Sequence, residues 1–99
     1  MVREPFVWEI HVRREVLDDE LAQLRDLPYS LWREVMASPM TKEVLGRDNK
    51  TYRVKVTAVP ATKTTDDIRV TVALQSGGGL RRTLMKKSFV ITPDNQFIG

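Results

Sequence analysis

Two short runs constrain this chain more than anything else in it. Residues 51–59 read TYRVKVTAV and residues 67–75 read DIRVTVALQ, and in each every second residue is apolar. Successive side chains of a strand point to opposite faces, so this period of 2 makes each run a strand with one buried side. The buried side receives Tyr52, Val54, Val56 and Ala58, then Ile68, Val70, Val72 and Leu74. The other side receives Arg53, Lys55, Thr57, Arg69, Thr71, Ala73 and Gln75. Its basic character is the functional question that the sequence poses.

The segments around these runs extend the sheet. The polar loop PATKTTD (60–66) joins the two, and SGGG (76–79) turns the chain into a last strand of about 81–92, closed by TPDN. In that strand the better phase buries Met85, Phe89 and Ile91 and turns Arg82, Leu84, Lys86, Ser88 and Val90 outward. Lys87 fits that phase badly, which calls for a bulge or an edge position. Upstream, KEVLGRDNKTYRVKV reads as two strands joined at Asp48-Asn49, residues that tolerate the positive φ of a tight hairpin. The alternative there is a short helix started at Ser38-Pro39 and closed by Gly46.

The N-terminal third changes period. FVWEIHVR (6–13) alternates, with Phe6, Trp8, Ile10 and Val12 on one side, and is expected to be a half-buried strand after Pro5. Leu17, Leu21, Leu24, Pro28, Leu31, Trp32 and Val35 then follow a helical stripe. Proline lacks the N–H that a helix interior needs, so the stripe divides into helices at about 18–26 and 28–37 with Pro28 in the first turn of the second. Asp18 is the expected N-cap of the first, and Asp19 and Glu20 suit its positive dipole end. Short loops pair adjacent strands antiparallel, and helices must cover the apolar face. The expected fold is a two-layer α+β single domain over residues 1–99: an N-terminal strand, one or two helices, then an antiparallel meander of three to four strands.

Composition narrows the function. The 99 residues include no cysteine, which excludes disulfides and thiolate metal sites. No apolar run approaches the roughly 18 residues that span a membrane, and Glu4 and Glu9 interrupt any leader-like segment, so the cytoplasm is the default expectation. The sequon NKT at 49–51 then reads as chance. His11 is the one histidine and has no Ser or Cys context to make a nucleophile and base pair, so it is expected at the surface. The carboxylates of DDE (18–20) and DD (66–67) lack the ligand spacing of a calcium loop and read as a helix cap and a turn. Trp8 and Trp32 are candidates for a ligand pocket under the helices, but large aromatics at regular spacing are more simply core. No enzyme, cofactor or metal is expected.

What remains is charge. Residues 1–49 hold seven Lys/Arg against ten Asp/Glu, whereas residues 50–99 hold nine against three. If the strands neighbour one another in order, Arg53, Lys55, Arg69, Arg82 and Lys86 share one surface, with Arg81 in the loop SGGGLRR beside it. Such a face suits a nucleic-acid backbone, bound electrostatically and with little sequence preference, since no aromatic ring is there to stack on a base. A second expectation is a protein-interaction or homo-oligomeric domain, in which acidic helices carrying Asp18, Asp19, Glu20, Asp26 and Glu34 meet the basic sheet of another molecule. The plainer reading, a solvated face whose charge prevents aggregation, is the stronger one on sequence alone.

Overall fold

The computed structural model describes residues 5–76 and 82–98, with side chains described from residue 10 onward. Two helices, α1 (Pro5–Leu24) and α2 (Tyr29–Ala37), precede five strands: β1 (Met40–Leu45), β2 (Thr51–Pro60), β3 (Ile68–Ser76), β4 (Thr83–Ile91) and β5 (Phe97–Ile98). The strands form one antiparallel sheet in the order β1-β2-β3-β4-β5. The two-layer α+β reading therefore holds: a meander with both helices on one face.

The expected N-terminal strand at 6–13 is instead the first part of α1. Its alternation is ambiguous, because Phe6–Ile10 and Trp8–Val12 are four apart and satisfy a helix as well as a strand. No proline or glycine lies between Pro5 and Pro28, so nothing stops one long helix, and a proline is at home in its first turn. The face α1 buries is Val12, Val16, Leu17, Leu21 and Leu24, a helical spacing that includes Val12. Asp18 is accordingly mid-helix and caps nothing; its carboxylate reaches Lys87 Nζ at 3.3 Å. The side chains of Phe6 and Trp8 lie outside the described residues.

Pro28, extended at φ −75° and ψ 158°, separates the helices, and α2 stops at Ser38, where the following Pro39 disfavours further helix. Trp32 and Val35 of α2 are buried on β2 and β3, while α1 lies over β3 and β4. The core is one cluster that joins these helix residues to Tyr52, Val54, Val56, Ala58, Ile68, Val70, Val72, Leu74, Phe89 and Ile91. Trp32 is fully buried and packs edge-on against Phe89 at 5.9 Å between ring centroids, a core residue and not the wall of a ligand pocket.

Two hairpins share one turn. In the first, Asn49 N–H donates to the Gly46 carbonyl and Gly46 N–H to the Lys50 carbonyl, both at 2.9 Å, with Asn49 at φ 65°. In the second, Asn95 and Thr92 repeat this against Thr92 and Gln96, and Asn95 also has φ 65°. Both carry Asp-Asn, and asparagine is among the few residues that adopt the left-handed region at low cost. The hairpin expectation for 40–56 thus holds over the short helix. At Gly46 a Cβ would come within 2.8 Å of the Tyr52 ring and 3.2 Å of Val12, so glycine there lets α1 cross the turn closely.

Three carboxylates of α1 hold the two layers together. Glu15 pairs with Arg47 at 2.8 Å, Asp18 with Lys87 at 3.3 Å, and Glu20 with Lys42 at 2.8 Å. Of the three, only Asp18–Lys87 joins the acidic first half to the basic second half; the other two lie within residues 1–49.

Candidate nucleic-acid interface

Antiparallel partners point to the same face, so the register assigns every strand residue to the helix-covered side or the open side. Arg53 stands opposite Gln75 and Glu43, Lys55 opposite Ala73 and Thr41, Thr57 opposite Thr71, and Val59 opposite Arg69. On the far side of β3, Ala73 faces Lys86, Thr71 faces Ser88 and Arg69 faces Val90. The open face thus holds Arg53, Lys55, Arg69 and Lys86 together, as the alternation implied.

Two corrections follow from the same register. Between Leu74 and Gln75 the β4 partners jump from Met85 to Thr83, so Leu84 is an extra residue, a bulge. The bulge sits three residues before Lys87, as the poor fit of that lysine called for; it leaves the expected phase intact from Met85 to Ile91 and reverses it for Leu84 and Arg82. Lys87 lies on the covered side at the β4 margin, where it can reach Asp18, and Leu84 packs against the edge of the core instead of facing out. Arg82, beyond the bulge, leaves the open face. Its carbonyl accepts the Ser76 N–H at 2.9 Å and its N–H donates to Ser76 Oγ at 3.1 Å, beside Tyr52 on the covered side. Arg81 and the three glycines of the SGGG loop lie outside the described residues.

The cations that remain are not equivalent. Arg53 is half-buried and lies 3.7 Å from Glu43, a carboxylate contributed by β1 that the strand alternation alone did not reveal. Lys55, Arg69 and Lys86 are exposed and form no ion pair among the described residues. Lys55 and Lys86 flank Ala73, two strand spacings apart or roughly 10 Å. Next to this pair runs a row of hydroxyls, Thr57, Thr71 and Ser88, with Thr71 and Ser88 hydrogen-bonded at 3.0 Å. Arg69 is four residues before Ala73 on the same face, roughly 13 Å away, with Val59 and Val90 to either side. No aromatic residue occupies an open-face position in β1 to β4 among the described residues. The arrangement can meet anionic oxygens with cations and hydroxyls, but offers bases no stacking platform.

At the turn end of the sheet, the Tyr52 hydroxyl donates to Asp48 Oδ2 at 2.7 Å, and Asp48 Oδ1 accepts the Lys50 N–H at 3.1 Å. Burial, with the bond to Asp48 behind it, pushes the Tyr52 hydroxyl up to about 12. Burial alone would also raise the Asp48 carboxyl, but the bonds from Tyr52 and Lys50 outweigh it and hold it below the ordinary carboxylate value. Folded Tyr52 keeps its proton where an unfolded tyrosine loses it, so this contribution is complete below pH 10 and is lost as pH rises from 10 towards about 12. Asp48 works the other way: its contribution is present above the ordinary value of 3.8 and is lost as pH falls below it. Tyr52→Phe is expected to cost about 1 kcal/mol at pH 7 and to flatten the alkaline decline. Urea midpoints of both proteins at pH 7, 10 and 11 measure this, and parallel curves would refute it.

Comparison with protein-family models, with characterised proteins and with solved structures finds no match for the chain. No described helix is long and apolar enough to cross a membrane.

Proposed function

We propose that the chain is a small binding domain whose open sheet face docks the phosphate backbone of a nucleic acid. The observation that supports this most is the trio Lys55, Arg69 and Lys86, exposed on one face and without ion pairs among the described residues. The neighbouring hydroxyls of Thr57, Thr71 and Ser88 suit phosphate oxygens, and the lack of rings makes the contact indifferent to base sequence. The competing idea, acidic helices of one molecule on the sheet of another, is weakened because Asp18 and Glu20 already serve Lys87 and Lys42 of their own sheet.

Fluorescence anisotropy of labelled single- and double-stranded DNA and RNA tests the proposal. Three phosphate contacts give a log–log salt slope of about −2.7 on duplex DNA, a loss of roughly 40-fold in affinity between 50 and 200 mM salt. Lys55→Glu, Arg69→Glu and Lys86→Glu should each weaken binding to every sequence alike, and Glu43→Gln should strengthen it slightly by freeing Arg53. No binding at 50 mM salt sinks the reading. A change of solution mass in these variants, with no effect on nucleic acid, would establish self-association in its place.

A further inference from the structure

Between α2 and the β2–β3 loop lies a hollow of ≈ 420 Å³, with Arg33 on its helix wall and Asp66 and Asp67 on its loop wall. Aspartates in a loop ordinarily accept a nearby backbone N–H, the turn role that the sequence suggests for this pair. Here threonines perform it. Thr62 Oγ1 accepts the Thr65 N–H at 3.0 Å and bonds Thr65 Oγ1 at 2.7 Å. The backbone of the pair is fixed as well: the Ala61 N–H donates to the Asp67 carbonyl at 2.9 Å, and the Tyr29 hydroxyl donates to the Asp66 carbonyl. Both carboxylates are thereby left without a hydrogen bond or ion pair among the described residues, although Asp67 is half-buried. Arg33 has no partner among them either. Opposite charges thus line one hollow from two separate elements without pairing with each other.

We infer that this hollow binds a small zwitterion, an α-amino acid with an apolar side chain. An ammonium carries three N–H donors, and Asp66 and Asp67 supply acceptors for them. A carboxylate matches the paired N–H donors of a guanidinium, and Arg33, exposed on its helix, can swing to meet it. A ligand with one charge answers only half of the site: a bare cation is set beside Arg33, and a bare anion beside two carboxylates. An amino acid answers both walls and brings no net charge with it. Its side chain lies against Tyr29, Met36, Pro60 and Pro93, and an aromatic ring suits the Met36 sulfur in particular. The volume falls within the range of about 300–1,000 Å³ usual for small-ligand sites. A bound ligand would also clamp the loop to α2, beside the Tyr29–Asp66 bond that already joins them.

The probe is L-phenylalanine, titrated into the ¹⁵N-labelled protein at constant ionic strength. Two analogues that each lack one charge, phenethylamine and 3-phenylpropionate, are titrated beside it. The expected result is saturable shifts at the amides of Tyr29, Arg33, Asp66 and Asp67, with each analogue about fivefold weaker, the upper end for a charge pair that water reaches. Each variant should then lose what the matching analogue lacks. Arg33→Ala should bind phenylalanine no better than phenethylamine, and Asp66→Asn and Asp67→Asn should weaken phenylalanine without weakening 3-phenylpropionate. Arg33 and Asp66 are exposed, so their variants keep the fold, which the same spectra verify. Shifts that fail to saturate, phenethylamine binding as tightly as phenylalanine, or undiminished binding in Arg33→Ala would overturn the assignment. Arg33→Ala should leave nucleic-acid binding on the open face intact and Lys55→Glu should leave phenylalanine binding intact, so failure of one site is not failure of the other.

Discussion

Asn95→Ala is expected to destabilise the protein by about 2 kcal/mol, twice the effect of the equivalent change at Asn49. Both residues sit at φ 65° in turns of the same design, and alanine in the left-handed region costs about 1 kcal/mol. Asn95 has a second task. Its Oδ1 accepts the N–H of Tyr29, the first residue of α2, at 2.8 Å across 66 residues of sequence. Pro28, which precedes that residue, has no side chain able to cap the helix. The cap is therefore supplied from the β4–β5 turn, and losing such a cap costs about 1 kcal/mol. The Tyr29 hydroxyl also donates to the Asp66 carbonyl in the β2–β3 loop, so the start of α2 is fastened to two turns at one end of the sheet. Substitution separates the two roles. Asn95→Gly keeps the backbone geometry and should lose only the cap; Asn49→Gly should be close to neutral; Asn95→Asp keeps the acceptor. Urea denaturation of the five variants provides the comparison, and equal losses for Asn95→Ala and Asn49→Ala would show that the long-range bond contributes nothing.

The pair Glu20–Lys42 should respond asymmetrically to mutation. Glu20 is 4% exposed, whereas the Lys42 side chain is 53% exposed. Removing the lysine strands a carboxylate in the layer between α1 and β1; removing the glutamate releases an ammonium into water. Lys42→Met is therefore expected to cost about 2–3 kcal/mol, near the lower end for a broken buried pair because water reaches the lysine end. Glu20→Met should cost less than about 1 kcal/mol or stabilise slightly, since methionine fills much the same volume without a charge to desolvate. The double variant should recover most of the Lys42→Met loss. The pairs Glu15–Arg47 and Asp18–Lys87, exposed at both ends, should each contribute below about 1 kcal/mol. A larger loss in Glu20→Met than in Lys42→Met would mean that packing of the glutamate stem, and not its charge, is what matters.

The sheet was legible because its signals are local. Alternation placed β2 and β3 to within a residue, and Asp48-Asn49 announced a turn whose positive φ is borne by Asn49. The first helix was misread where local signals conflict, since a spacing of four residues fits both periods over so short a run. Long-range facts left no local trace. Nothing in residues 40–45 says that Glu43 will stand opposite Arg53, because that follows from pairing. Nothing near Pro28 points to Asn95 as the cap. The open-face group was readable for Arg53, Lys55, Arg69 and Lys86, which lie in regular stretches, and failed for Arg82, which lies across an irregularity. The displacement of Arg82 to the covered side was out of reach, since it required the bulge to fall at Leu84.

The extra residue at Leu84 has a consequence for how this chain can change. Alternation before it and after it is out of step, so β4 delivers Lys86 to one surface and Arg82 to the other. Which cation belongs to which surface is thus a matter of where the extra residue sits, not of residue identity. Paired at full length without a bulge, β4 would turn Arg82 to the open face with no charge in the sequence altered, whereas deletion of Leu84 would straighten the strand and leave Arg82 beside Ser76. The charge pattern of the two sheet faces is therefore set by the register between Ser76 and Met85 before it is set by composition.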